Sequence, residues 1–319
     1  MIESLGDTAY GMAFQGEKIL VCGIAQSSGG RGGGMGLARF SADGVLDTTF
    51  GTGGRSELMW GRGALAQAVA VRSDGKIYTA GTLAETPTTT GANFGIVRFS
   101  ADGAIDRTFG GPTGMVEGDF GKNEFARGIS FQGLKVLVGG GEDFIVARYD
   151  DAGALDTTFG TAGRAISPGG QANNFIALPS GELLLSGSIQ LAMGWTIKLV
   201  RYTANGQLDA TFGTRGVVET NFDTFQAATL VLATMADGRV VIVTQDAMVL
   251  RASVARFLPT GAVDTSFGTA GLRRLELYLP TVTSMFPVSP NQGVIVNDRL
   301  FLTATNFPDP FVLFGATAL

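Results

Sequence analysis

Short apolar runs, each entered from a charged residue, recur along the chain. They are Lys18-Ile19-Leu20-Val21-Cys22, Lys76-Ile77-Tyr78-Thr79-Ala80, Lys135-Val136-Leu137-Val138-Gly139, Glu182-Leu183-Leu184-Leu185-Ser186, Arg239-Val240-Val241-Ile242-Val243 and Arg299-Leu300-Phe301-Leu302-Thr303. A run of this length and β-branched content, entered from a turn, reads as a buried strand. A second element follows each: Leu37-Ala38-Arg39-Phe40, Ile96-Val97-Arg98-Phe99, Val146-Ala147-Arg148-Tyr149, Leu199-Val200-Arg201-Tyr202 and Val254-Ala255-Arg256-Phe257. The sixth copy degrades to Phe311-Val312-Leu313-Phe314. Upstream lies another strand, such as Ala66 to Val71 with its turn Ser73-Asp74-Gly75, and downstream a fourth, such as Gly54 to Leu58.

Between the third and fourth strands the chain repeats a motif: Leu46-Asp47-Thr48-Thr49-Phe50-Gly51, Ile105-Asp106-Arg107-Thr108-Phe109-Gly110, Leu155-Asp156-Thr157-Thr158-Phe159-Gly160, Leu208-Asp209-Ala210-Thr211-Phe212-Gly213 and Val263-Asp264-Thr265-Ser266-Phe267-Gly268. A unit that recurs every fifty to sixty residues is one supersecondary module burying its faces against copies of itself. Four strands per repeat and six repeats predict an all-β fold, a six-bladed β-propeller with four-stranded blades, forming one domain over residues 1–319. The last repeat stops after its third strand. Met1 to Leu5 is expected to supply the missing outer strand and close the ring, removing open sheet edges.

The apolar-Arg-Phe/Tyr strand, the Asx-Gly turn, Leu-Asp-x-Thr-Phe-Gly and the downstream Asp-Gly-Lys-Ile resemble the delta-60 repeat of large bacterial proteins, notably of myxobacteria. The resemblance covers nearly the whole chain. It implies a propeller-type repeat protein, secreted or at the cell surface, with no common activity attached.

Composition narrows the function. Glycine contributes 48 of 319 residues, about twice its ordinary share, which suits many tight turns. The net charge of −5 argues against nucleic acid or an anionic membrane as partner. No apolar run approaches the ~20 residues of a membrane span, so no insertion is expected. The start, Met1-Ile2-Glu3-Ser4, lacks the basic residues and long apolar core of a signal peptide. Histidine is absent, which removes Ser-His and Cys-His nucleophile pairs and imidazole zinc sites. Cys22 stands alone where other repeats carry small residues, so it reads as packing.

Arg39 and Asp47 are eight residues apart, as are Arg98 and Asp106, Arg148 and Asp156, Arg201 and Asp209, and Arg256 and Asp264. Five equal copies read as a structural contact, an Arg fork on a carboxylate, rather than as five catalytic sites. A calcium ring is the alternative, since Asp43 and Asp102 precede the motif aspartates. The equivalent residues later are Ala152, Asn205 and Thr260, too few oxygens for a cation that takes six to eight, so no cofactor is expected.

Function then falls to the unrepeated residues. The loops between second and third strands, with those joining successive blades, differ from repeat to repeat, and variable loops on a rigid scaffold are where binding tends to live. Candidate ligand-binding residues there are Trp60, Arg62, Lys122, Glu124, Glu142, Asp143, Trp195, Asp223 and Asp246. The expected activity is a non-enzymatic scaffold holding a protein or glycan. The alternative is a lactonase- or esterase-like propeller hydrolase or lyase in which Glu142, Asp143, Asp223 and Asp246 converge on a metal or act as paired carboxylates.

Overall fold

The computed structural model describes residues 9–26, 33–60, 63–84, 91–192, 194–222, 226–246, 252–275, 289–296, 299–305 and 312–318. Among them every regular element but one is a strand, the exception being a single 3-10 turn at Gly111–Thr113. The chain divides into two compact units, Met1–Ile166 and Ser167–Leu319.

In the first unit, repeat one is the meander β1 (Ala9–Gln15), β2 (Lys18–Gln26), β3 (Gly33–Phe40) and β4 (Arg55–Met59). Repeat two is β5 (Ala64–Val71), β6 (Ile77–Leu83), β7 (Asn93–Phe99) and β8 (Met115–Gly118). Repeat three is β9 (Ala126–Gln132), β10 (Lys135–Glu142), β11 (Ile145–Tyr149) and β12 (Arg164–Ala165). The second unit continues with β13 (Gln171–Ala177), β14 (Leu183–Leu191), β15 (Gly194–Tyr202) and β16 (Val217–Thr220). Then come β17 (Gln226–Thr234), β18 (Val240–Asp246), β19 (Ala252–Phe257) and β20 (Leu272–Arg274). Last is a three-stranded meander of β21 (Ser289–Val296), β22 (Arg299–Thr305) and β23 (Val312–Ala318). All pairs within these meanders are antiparallel.

The middle strands are buried on both faces, β7 throughout, which explains why they read as unbroken apolar runs. Within each unit consecutive sheets pack face to face and the core lies between them. Leu20, Leu37 and Phe50 of repeat one meet Val69, Ile77 and Val97 of repeat two; Tyr78 and Phe109 of repeat two meet Val136 and Ile145 of repeat three. In the second unit Leu184, Leu199 and Phe212 meet Ile242 and Phe257. Cys22 is fully buried in this packing, and its thiol donates to Ala66 O at 3.6 Å.

The motif residues hold each repeat together. Each Arg Nε lies 2.7–2.9 Å from an oxygen of the Asp eight residues on, in all five copies. Each guanidinium also sits over the motif Phe of its own repeat, 4.5–5.0 Å from the ring centroid. The second carboxylate oxygen accepts from the hydroxyl and backbone N–H of the Thr or Ser two residues on, closing an Asx-type turn. The same arginines reach the next sheet: Arg39 Nη1 donates to Ala101 O, Arg98 Nη1 to Asp151 O and Arg201 Nη1 to Pro259 O. A backbone bond runs alongside, from Gly51 N to Asp102 O and from Gly213 N to Thr260 O.

These contacts hold the motif carboxylates below the ordinary range. For Asp47 and Asp264 the hydrogen bonds from Lys18 and Ser266 dominate. For Asp106, Asp156 and Asp209 burial works the other way and is outweighed by the Thr hydroxyl and the Arg, preceded in Asp156 by the hydrogen bond from Lys135. A depressed carboxylate contributes stability that is present above its unfolded pKa near 4 and is lost as pH falls, so the clasps weaken in acid.

The turn after the motif places a non-glycine residue in the left-handed region in three repeats: Ala162 (φ 51°), Arg215 (φ 55°) and Ala270 (φ 51°), where repeat one uses Gly53. One sequence expectation changes here: Trp195, expected in a loop, lies in a strand opposite Gln190 in the β14–β15 ladder.

A further regularity concerns the first strands. Their register slips by one residue at Tyr10, Gln67, Arg127 and Asn173, each a bulge near the start of the strand. A bulge re-aims its side chain and locally frees it from the ladder.

Candidate functional site

The candidate residues on the variable side separate into one group the fold brings together and several it does not. The loop between β8 and β9 and the hairpin tip between β10 and β11 place Lys122, Asn123, Glu124, Glu142 and Asp143 side by side. Asn123 is the hub: its Oδ1 accepts from Ala92 N at 3.2 Å, its Nδ2 donates to Glu142 Oε1 at 2.7 Å, and its carbonyl accepts from Glu142 N at 2.9 Å. Lys122 Nζ lies 3.4 Å from Asp143 Oδ2, a pair open to solvent on the lysine side.

The hairpin tip is strained. Asp143 (φ 60°) and Phe144 (φ 48°) both occupy the left-handed region, as a two-residue primed turn demands, without the Asn-Gly that favours it. The Phe144 ring is fully buried, so packing holds the turn in place. Such strain persists where the surroundings over-determine it.

Glu124, expected among the ligand-facing side chains, is fully buried. Its Oε1 accepts from Lys122 N at 2.9 Å while Oε2 has no partner. Tyr149, on β11, keeps its own hydroxyl unpartnered, and the charge of Glu124 adds to the rise of its pKa. Burial pushes Glu124 up to about 7, assisted by the neighbouring charges of Asp119 and Glu142 and opposed by the backbone N–H groups of its own loop. Burial likewise raises Tyr149 well above the usual phenol range.

The remaining candidates lie elsewhere. Trp60 is half-buried against the core between repeats one and two. Trp195 is half-buried on β15. Arg62 and Asp223 lie outside the described residues; Asp246 ends β18, and its side chain lies outside them too. Among the described residues no group of three or more Asp, Glu or Cys is arranged to hold a metal ion. The sequence offered no signal for the burial of Glu124, because an acid in a connecting loop ordinarily faces water.

A family model described as "Domain of unknown function (DUF5122) beta-propeller" matches residues 18–50, 72–109, 135–159, 178–212 and 236–267, about half of the chain. Two solved structures described as glucose dehydrogenase align along nearly its whole length. One is 13% identical over 98% of this chain and 96% of that one, with a TM-score of 0.52. The other is 11% identical over 98% and 96%, with a TM-score of 0.50. At such identities the likeness speaks of fold alone. No curated protein matches the sequence.

Glu124→Gln gives a direct check on the buried acid. A native pKa raised from about 4.5 to about 7 means the native state loses stability as pH rises through that window, and the neutral amide removes the loss. Thermal unfolding of the variant should match the parent at pH 5 and exceed it by about 2–4 °C at pH 8.

Proposed function

We propose, from the premise that the chain belongs to the family of the domain of unknown function (DUF5122) beta-propeller, that it is a non-enzymatic binding scaffold. It holds a protein or glycan on its variable loop side, needs no cofactor, and works in a secreted or surface setting, for which the likeness of its repeats to delta-60 sequences speaks. The observation that carries this reading is the use of the recurring residues. Every motif Arg, Asp and Phe is consumed in holding its own repeat together, as in Arg201–Asp209 with Phe212 beneath, and Arg39, Arg98 and Arg201 also reach the next repeat. What differs between repeats is the opposite loop set, where Lys122, Glu142 and Asp143 gather around Asn123. A scaffold that spends its invariant chemistry on itself and varies at one edge is built for recognition.

Six blades closing into one ring complete the reading, with a strand from the N-terminus finishing the sixth. The three-stranded meander β21–β23 is one strand short of the others. On β1, Tyr10, Met12 and Phe14 expose one face. Val69 on β5 and Leu232 on β17 hold the positions equivalent to Met12 and bury against the preceding repeat. The exposed face of β1 therefore calls for a preceding repeat, and in a closed ring the sixth supplies it. Met12→Asp should then lower stability by about 2 kcal/mol or more, as a core substitution does. A loss below about 0.5 kcal/mol in denaturant unfolding would show the face to be free.

Binding is tested by thermal unfolding with a panel of glycans, with Ca²⁺, Mg²⁺, Mn²⁺ and Zn²⁺, and with EDTA, because a ligand of the native state raises the midpoint by mass action. A rise with a glycan that EDTA leaves intact is the expected result for a lectin-like scaffold, and no shift leaves a protein partner. A metal-specific rise reversed by EDTA would overturn the cofactor-free reading in favour of a hydrolase.

A further inference from the structure

The fourth strand of repeat five departs from its counterparts at two consecutive positions. Ser56, Val116, Ala165, Val218 and Arg273 share one register site, opposite Leu37, Ile96, Val146, Leu199 and Val254 of the third strands. Four of these five residues are small or apolar, and the fifth is an arginine. At the next site repeats one, two and four carry Glu57, Glu117 and Glu219, where repeat five carries Arg274. An acid shared by three repeats is thus replaced by a base in one.

Both arginines line a cleft. It lies within the second unit, between repeats four and five, with a volume of about 810 Å³, in the range of small-ligand sites. Thr220, Asn221 and Phe222 bound one side and Leu272, Arg273 and Arg274 the other. Asn221 and Phe222 open the connection that joins the two repeats, one of the variable loops. Repeats two and three fill the corresponding place. There Arg164, in the position of Leu272, holds its guanidinium 5.0 Å from the ring of Phe120, which like Phe222 stands six residues after the glycine preceding the strand. Leu272 has no such reach, and the space beside Phe222 stays open.

The charge in the cleft is of one sign: its only charged lining residues are the two arginines, in a chain of net charge −5. Arg273 lies over the Phe267 ring at 5.2 Å. Arg274 is exposed and makes no ion pair or hydrogen bond among the described residues. A shallower groove of about 440 Å³ adjoins the cleft through Thr220 and Val263, and it carries Glu219 with the hydroxyls of Thr211, Thr214 and Thr260.

We infer that this cleft binds an acidic oligosaccharide, with a uronate carboxylate on Arg274. A guanidinium meets a carboxylate as a planar fork. The apolar face of the sugar ring lies on Phe222 and Leu272, while Thr220, Asn221 and Thr265 exchange hydrogen bonds with its hydroxyls. The adjoining groove takes the next sugar, where Glu219 accepts from hydroxyls. An acidic peptide would use the arginines equally well but has no comparable set of hydroxyls for the threonines. The inference rests on the reading of the chain as a binding scaffold and gives that reading a ligand class.

The test is calorimetric titration of the intact chain with trigalacturonate, with its methyl ester as the neutral control, together with the ¹⁵N resonance of Arg274 Nε. Trigalacturonate is expected to bind about tenfold more tightly than the ester, in keeping with a charge-assisted pair, and to shift the Nε signal. Arg274→Glu, which restores the residue of repeats one, two and four, should abolish the preference without lowering the unfolding midpoint. Equal binding of acid and ester, or an Nε signal indifferent to trigalacturonate, overturns the site. The resonance is read on the parent chain, so the test stands even where the substitution perturbs folding. Tetra-aspartate binding as tightly as trigalacturonate would overturn the saccharide in favour of a peptide. Glycan binding that Arg274→Glu leaves intact would sink this cleft alone and leave the scaffold reading standing.

Discussion

The contact on which the structure depends is the guanidinium of each motif arginine. Its Nε faces the motif aspartate and its plane lies over the motif phenylalanine; in Arg39, Arg98 and Arg201 its Nη1 also crosses to a carbonyl of the next sheet, as Arg201 does with Pro259. The aspartate in turn closes the turn that carries the phenylalanine. One side chain thereby ties strand to turn, turn to core and sheet to sheet. Pairs of this kind are worth little at an open surface, but these arginines are mostly buried and their partners nearly so, where removing one member strands the other. The second cation at the head of the second strand reinforces the clasp in repeats one, two, three and five. Repeat four has Glu182 there, which turns to Ser180, so Asp209 depends on Arg201 and Thr211.

Much of this was legible in the sequence because it repeats. Unbroken apolar runs marked the doubly buried middle strands, and a constant eight-residue interval between Arg and Asp marked a constant contact. A property that every copy shares can be averaged over five copies, and chance then has little room. The family match to residues 18–50, 72–109, 135–159, 178–212 and 236–267 covers the same stretches.

What single positions do was less legible. Glu124 reads as a loop acid and lies buried, because the loop folds back and wraps its backbone N–H groups around the carboxylate. Trp60 is anchored half in the core rather than standing free. The bulge residues Tyr10, Gln67, Arg127 and Asn173 did leave a trace, as one polar or amphipathic side chain near the start of the first strand in repeats one to four. That trace is intelligible only once the register is known, since a bulge alters direction without altering composition. The strain at Asp143 and Phe144 is likewise set by tertiary packing and not by local preference.

The measurement that tests the clasp most directly is a double-mutant cycle on Arg201 and Asp209, the copy without a second cation. Denaturant unfolding of Arg201→Met, Asp209→Ala and the double variant isolates the coupling between the two side chains. If the clasp carries the fold, Arg201→Met alone costs about 3 kcal/mol and the coupling is about 1 kcal/mol or more. A coupling below about 0.3 kcal/mol, the level of an exposed ion pair, would contradict that account and leave the repeats held by their apolar faces alone.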